Sequence, residues 1–178
     1  IQQGRDLCLE CHVMLKTRLE GFRTIHDPVN EDCSGCHRPH ASEHKMMLKA
    51  ETTPLCLDCH SQIEDLMNNS TTKHDAVSSG EACRNCHEPH GSDFSALLLN
   101  DMVTVCLDCH EGGEQMHWRG STHQFAELSC ATCHSPHESR PALESSEGQQ
   151  EVCLDCHTGI RQQISKRSHH PVREGSLS

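Results

Sequence analysis

Fourteen cysteines stand in seven copies of one five-residue pattern, Cys-x-x-Cys-His. The first cysteines are Cys8, Cys33, Cys56, Cys83, Cys106, Cys130 and Cys153. The second are Cys11, Cys36, Cys59, Cys86, Cys109, Cys133 and Cys156. A histidine follows each at once: His12, His37, His60, His87, His110, His134 and His157. This pattern attaches haem c. Both sulfurs add to the porphyrin vinyl groups as thioethers, and the adjacent imidazole is delivered to one axial face of the iron. A disulfide scaffold would explain an even cysteine count, and zinc would explain Cys-x-x-Cys knuckles. Neither explains a histidine after the second cysteine in every copy. The expected cofactor is seven covalently attached haem c groups, with no thiol left for a disulfide or a nucleophile.

The motifs are of two kinds. The first kind carries variable small or polar residues between its cysteines and continues His-x-Pro-His, ending at His40, His90 and His137. The second kind has Leu and an acid between the cysteines: Cys8-Leu9-Glu10-Cys11, and Cys-Leu-Asp-Cys from 56, 106 and 153. The kinds alternate strictly, with like motifs 47 to 50 residues apart, an internal repeat of supersecondary size. The chain reads as one domain divided into a half repeat (1–25), three repeats (26–73, 74–122, 123–168) and a truncated repeat start (169–178).

Each repeat opens on another histidine, at His26, His74 and His123, and the tail repeats the feature at His169 and His170. With His40, His90 and His137 this supplies seven distal ligands for seven irons, one of them being His169 or His170. Bis-histidine ligation throughout is therefore expected. His44 and His117 have no counterparts in other repeats, and the methionines keep no repeating position, which suits surface and gap-filling roles.

His40 cannot serve the iron of His37, because three residues span at most roughly 10 Å and cannot round a porphyrin edge. The nearest following haem is then expected: His40, His90 and His137 on the Cys56/Cys59, Cys106/Cys109 and Cys153/Cys156 groups. His26, His74 and His123 would serve Cys33/Cys36, Cys83/Cys86 and Cys130/Cys133. For His26 the Cys8/Cys11 haem is an open alternative.

This pattern, Cys-x-x-Cys-His-x-Pro-His followed by Cys-Leu-Asp-Cys-His over nearly the whole chain, resembles the doubled Cys-x-x-Cys-His family of multihaem cytochromes c. The resemblance implies close-packed bis-histidine haems of low potential and electron transfer outside the inner membrane, in periplasmic carriers or extracellular cytochrome filaments.

Composition agrees with cofactor-centred folding. The 178 residues include no tyrosine, three phenylalanines and one tryptophan, too little bulk for an ordinary core. The expected fold is mostly irregular chain with short α-helices and no sheet, wrapped around a linear row of haems. Short apolar stripes mark helices at Ile63, Leu66 and Met67 and at Ile160 and Ile164, and a helix or turn at 96–99. The net charge of −11 argues against nucleic acid, whose binders are basic. No stretch reaches membrane-spanning length. Haem c attachment implies export to a periplasmic or extracellular place, with a signal peptide removed.

An enzyme needs an iron with an open position, whereas here ligands equal irons and no Cys-x-x-Cys-Lys variant occurs. The expected function is non-enzymatic electron transfer in a head-to-tail homopolymer, exchanging electrons with redox proteins or extracellular acceptors. In that polymer His169 or His170 of one subunit ligates the Cys8/Cys11 haem of the next. The alternative is a soluble monomeric periplasmic carrier.

Overall fold

A computed structural model describes residues 4–70, 73–138 and 146–166. All seven motifs share one local device. The histidine N–H donates to the carbonyl of the first cysteine, at 2.9 to 3.1 Å throughout. That bond closes one helical turn, and residues i, i+3 and i+4 of such a turn lie on one face. Both sulfurs and the imidazole are thereby presented together.

The two kinds of motif differ in what surrounds that turn. Second-kind motifs end one helix and start another. Helix α1 (Arg5–Cys11) runs to His12, and α2 (Val13–Gly21) leaves from it. Helix α4 (Thr52–Leu57) leads through His60 into α5 (Ser61–Asn69), after β1 (Thr24–Ile25) and α3 (Asp27–Glu31). Hinge dihedrals at His12, His60 and His157 agree closely, with φ between −85° and −96° and ψ between 51° and 56°. Of the motif leucines, Leu9 and Leu154 are buried in the small core, and Leu57 and Leu107 are half-buried. First-kind motifs are 3-10 turns (Cys33–Gly35, Ala82–Asn85, Cys130–Thr132). Proline two residues after the motif histidine disfavours helix at the residue before it, so the chain leaves extended.

Later come β2 (Gly91–Ser92), α6 (Met102–Leu107), α7 (Gly113–Trp118) and α8 (Thr122–Phe125), then α9 (Ser146–Cys156) and α10 (Thr158–Ile164). Helices form at α5 and α10 where the apolar stripes place them, and 95–97 is a 3-10 turn with Leu98 buried behind it. The expectation of no sheet needs correction. Strands β1 and β2 pair antiparallel, Thr24 with Ser92 and Ile25 with Gly91. Two-residue strands carry no alternating pattern from which they could be read.

This ribbon joins the end of the half repeat, where the first repeat begins, to the second repeat. His26 N–H donates to the His90 carbonyl (3.1 Å) and Arg23 N–H to the Asp93 carboxylate (2.9 Å). Arg18 pairs with Glu88 at 2.8 Å and lies over the Phe22 ring. Gly91 is required by close approach, since a Cβ there would stand 2.7 Å from Phe22 Cδ2 and 2.8 Å from the Thr24 carbonyl.

Among the described residues the buried apolar side chains are Leu9, Leu19, Leu98, Leu154 and Ile164, and none is less than 2% exposed. The polypeptide has almost no core of its own. Among the described residues no helix is long and apolar enough to cross a membrane.

Gly91→Val is expected to lower the stability of the haem-loaded protein by about 1–3 kcal/mol, the usual cost of forcing atoms into a closed contact. Guanidinium denaturation read at the haem absorbance checks this, and an unchanged midpoint would show that the ribbon does not hold the repeats together.

Candidate haem centres

Five imidazole pairs face each other across nearly constant gaps. Ring centroids are 6.0 Å apart for His26–His60, His74–His110 and His87–His137, and 6.1 Å for His37–His90 and His123–His157. Two metal–imidazole bonds of about 2 Å each, with half a ring on either side, come to about 6 Å. The spacing therefore fits one iron between each pair, and each pair contains one motif histidine whose two cysteines sit on the adjoining turn. The donor set is that of bis-histidine haem c. All fourteen cysteines are free, and among the described residues no three His, Cys, Asp or Glu side chains gather as a bare zinc site would require.

The pairing itself departs from expectation. His26, His74 and His123 face the second-kind motifs of their own repeats, at His60, His110 and His157, and not the first-kind groups on Cys33/Cys36, Cys83/Cys86 and Cys130/Cys133. Nor does His26 face His12. His90 and His137 face backwards to His37 and His87, the first-kind motifs one repeat earlier, and not forwards to Cys106/Cys109 and Cys153/Cys156. His40 does not face the Cys56/Cys59 motif, where His26 stands. Among the described residues no ring faces His12, His40 or His134. His169 and His170 lie outside the described residues.

The physical reason lies in the loop after each first-kind motif. Met46–Met47 and Ala96–Leu97 are left-handed, with φ of 54° to 58°, a conformation costly for non-glycine residues. The turn aims the Met46 carbonyl at His37 Nδ1 (2.9 Å) and the Ala96 carbonyl at His87 Nδ1 (2.8 Å). It also clamps Lys49 N–H on Cys36 O and Leu99 N–H on Cys86 O, both at 2.9 Å. The β1–β2 ribbon and the His26 N–H to His90 carbonyl bond carry the His-x-Pro-His segment of repeat 2 back to the start of repeat 1. Loop lengths allowed either route, so spacing alone could not choose between them.

These hydrogen bonds orient the imidazoles. A carbonyl on Nδ1 fixes the tautomer and leaves Nε2 for the metal. His37 and His87 have this partner, and so does His26, whose Nδ1 meets the Pro89 carbonyl at 2.9 Å. His74 Nδ1 is buried with no partner. Burial holds His90 below the ordinary imidazole value, helped by His37 and Arg18 and opposed by Glu88. Burial likewise lowers His137, with His87 and His74 acting in the same sense against Glu138. Both effects favour the neutral ring that a metal requires.

Sulfur contacts give the order of the centres. As free thiols, Cys56 and Cys83 are hydrogen bonded. That bond, ahead of burial, pushes Cys56 up, and it draws Cys83 down to about 6. Burial and then Cys130 push Cys106 up to about 11, and burial and then Cys8 raise Cys33. The second-kind motif of each unit therefore touches the first-kind motif of the next at Cys8–Cys33, Cys56–Cys83 and Cys106–Cys130. Within repeats, Cys36 is felt by Cys56 and Cys109 by Cys86. From Cys8 to Cys130 the centres follow one another in chain order.

The model of the doubled CXXCH motif family matches residues 26–65, 74–115 and 123–162. These three matches cover more than half of the chain, which belongs to that family. It is a multihaem c-type cytochrome, and its function is electron transfer. A comparison with curated proteins returned no match.

Replacing Cys33 and Cys36 with alanine removes the centre that His90 is expected to serve. His90→Ala in the otherwise native chain should then turn one haem high-spin, while in the Cys33→Ala/Cys36→Ala background it should change no spin state. Magnetic circular dichroism checks this, and a new high-spin haem in the second background would assign His90 elsewhere. Ring planes give a second expectation. Four pairs are near-parallel, at 16° or 17°, while His123 and His157 are inclined at 65°. Low-temperature EPR should show one strongly anisotropic low-spin signal beside rhombic ones, and His123→Ala should remove it.

Proposed function

We propose that the chain binds seven haem c groups, works outside the inner membrane without enzymatic activity, and joins head to tail with its own copies as a filament. The observation that carries this reading is the set of five imidazole pairs at 6.0 to 6.1 Å. Bound between such rings, haem c supplies a one-electron iron couple whose two axial positions are both filled. Two protein ligands on an iron favour electron transfer over substrate chemistry.

The residues do three things in this scheme. The cysteines fix each group on one face of a helical turn. The motif and distal histidines clamp it from opposite sides. The alternation of motif kinds sets each centre against the next, giving a route from Cys8 towards Cys153.

The tail histidines suit a ligand in trans. His26, His74 and His123 precede their second-kind partners by 34, 36 and 34 residues. His169 or His170 opens a repeat in the same way, and in a head-to-tail polymer one of them supplies the Cys8/Cys11 iron of the next copy. Such contacts propagate as open filaments unless the rotation closes a ring.

A soluble periplasmic carrier is the second reading, favoured by the charge of −11, which resists self-association and suits a basic redox partner. Mass spectrometry should find seven haems. Electron microscopy should show fibres of the native chain and none of the His169→Ala/His170→Ala variant, whose haem count stays at seven. Monomers at every concentration would favour the carrier instead.

A further inference from the structure

When Nε2 of an imidazole binds iron, Nδ1 is left over, and its partner sets how strongly the ring donates. Backbone carbonyls meet Nδ1 on His26, His37 and His87, and His74 has no partner there. His90 is met by a charge instead. The Glu88 carboxylate stands with Oε1 3.3 Å from His90 Nδ1. Among the described residues no other ring of the five facing pairs has a carboxylate against a ring nitrogen. Glu51 stands 3.1 Å from His44 in the same way, but His44 belongs to none of those pairs.

Several contacts hold the Glu88 carboxylate in place. Its other oxygen, Oε2, accepts from Arg18 Nη2 at 2.8 Å, and Arg18 lies over the Phe22 ring. Oε1 also accepts the His90 backbone N–H at 3.4 Å. The Glu88 N–H donates to the Leu97 carbonyl at 2.8 Å, in the left-handed turn whose Ala96 carbonyl meets His87. The side chain is 20% exposed, so water screens its charge less than at an open surface. An acid stands here in one repeat of the three. The residue between histidine and proline is Arg38 in the first, Glu88 in the second and Ser135 in the third.

A negative charge beside Nδ1–H gives the ring imidazolate character and makes Nε2 the stronger donor. Ferric iron carries one more positive charge than ferrous iron and gains more from that donation. The oxidised state is favoured, and the reduction potential falls. Arg18 opposes the effect by taking up part of the carboxylate's charge.

We propose that Glu88 is a positioning residue for electron transfer, whose carboxylate acts through His90 to lower the reduction potential of the Cys33/Cys36 centre. The proposal rests on the haem c reading given under Proposed function, and it needs neither the filament nor the carrier. One electron arrives from a neighbouring centre and the same electron leaves to another. The iron passes from ferric to ferrous and back, and the Nδ1 proton stays on His90. Glu88 thus raises the energy of an electron at this one point of the row.

Spectroelectrochemical titration of the haem-loaded full chain tests this. Glu88→Gln, neutral and nearly the same size, should move one haem's ratio of reduced to oxidised form up by about three- to tenfold at fixed potential. At 59 mV per tenfold for one electron, that wave rises by about 30 to 60 mV. Arg18→Gln breaks the same ion pair without touching the carboxylate, so the same wave should fall. Loss of packing alone would move both variants in one direction. Glu51→Gln should move no wave. Glu88→Gln should keep the native haem count and low-spin spectrum, with one near-infrared charge-transfer band displaced as the ring's donation weakens. In the Cys33→Ala/Cys36→Ala chain, Glu88→Gln should move no wave by as much as threefold. An unmoved wave in Glu88→Gln, a shift of the same sign in Arg18→Gln, or a full shift without the Cys33/Cys36 centre would overturn the proposal. Native chain lacking haem on the Cys33/Cys36 peptide, read by mass spectrometry, would instead overturn the haem c reading.

Discussion

Two imidazoles held about 6 Å apart by one metal are the constraint on which this chain depends. Each such clamp ties residues far apart in sequence: 34 apart for His26 and His60, 53 for His37 and His90, 50 for His87 and His137. Closing loops of that length removes much of the entropy of an open chain, as a disulfide or metal clip does. The clamps carry weight here because little else does. The five buried apolar side chains among the described residues cannot offset the ordering of well over a hundred residues.

The clamps are also interleaved. Each second-kind centre with a facing ring is closed inside its own repeat, while each first-kind centre with a facing ring is closed by the repeat that follows. No repeat is therefore complete alone. The β1–β2 ribbon, the Arg18–Glu88 ion pair and the bond from His26 N–H to His90 O lie on the same seam. They set the distal rings of two neighbouring centres side by side, so packing and electron transfer are served by one set of contacts.

The two motif kinds divide the work. Helix-forming Leu and acid residues let the second kind act as a hinge between two helices, with Leu9 and Leu154 turned inward. Proline and small residues make the first kind a tight turn into extended chain, and a left-handed loop orients its imidazole from behind. Alternating them lets roughly 25 residues, the ratio of chain length to motif number, suffice for each centre.

The chemistry was legible in the sequence because it is local. Cysteines at i and i+3 with histidine at i+4 fall on one face of a turn whatever the rest of the chain does, so covalent attachment and the motif ligand follow from spacing alone. The steric bar on His40 serving the iron of His37 was legible for the same reason, as were the helices after His60 and His157. Which distal histidine meets which centre was not. His26 and His90 are joined to their partners by loops long enough for several routes, and loop closure distinguishes such routes by only a fraction of a kcal/mol. The choice falls to contacts between distant residues: Gly91 letting Thr24 approach, Arg18 meeting Glu88, and the Met46 and Ala96 carbonyls turning the motif imidazoles. Those contacts leave no periodicity in the sequence, so only the tertiary structure decided the pairing.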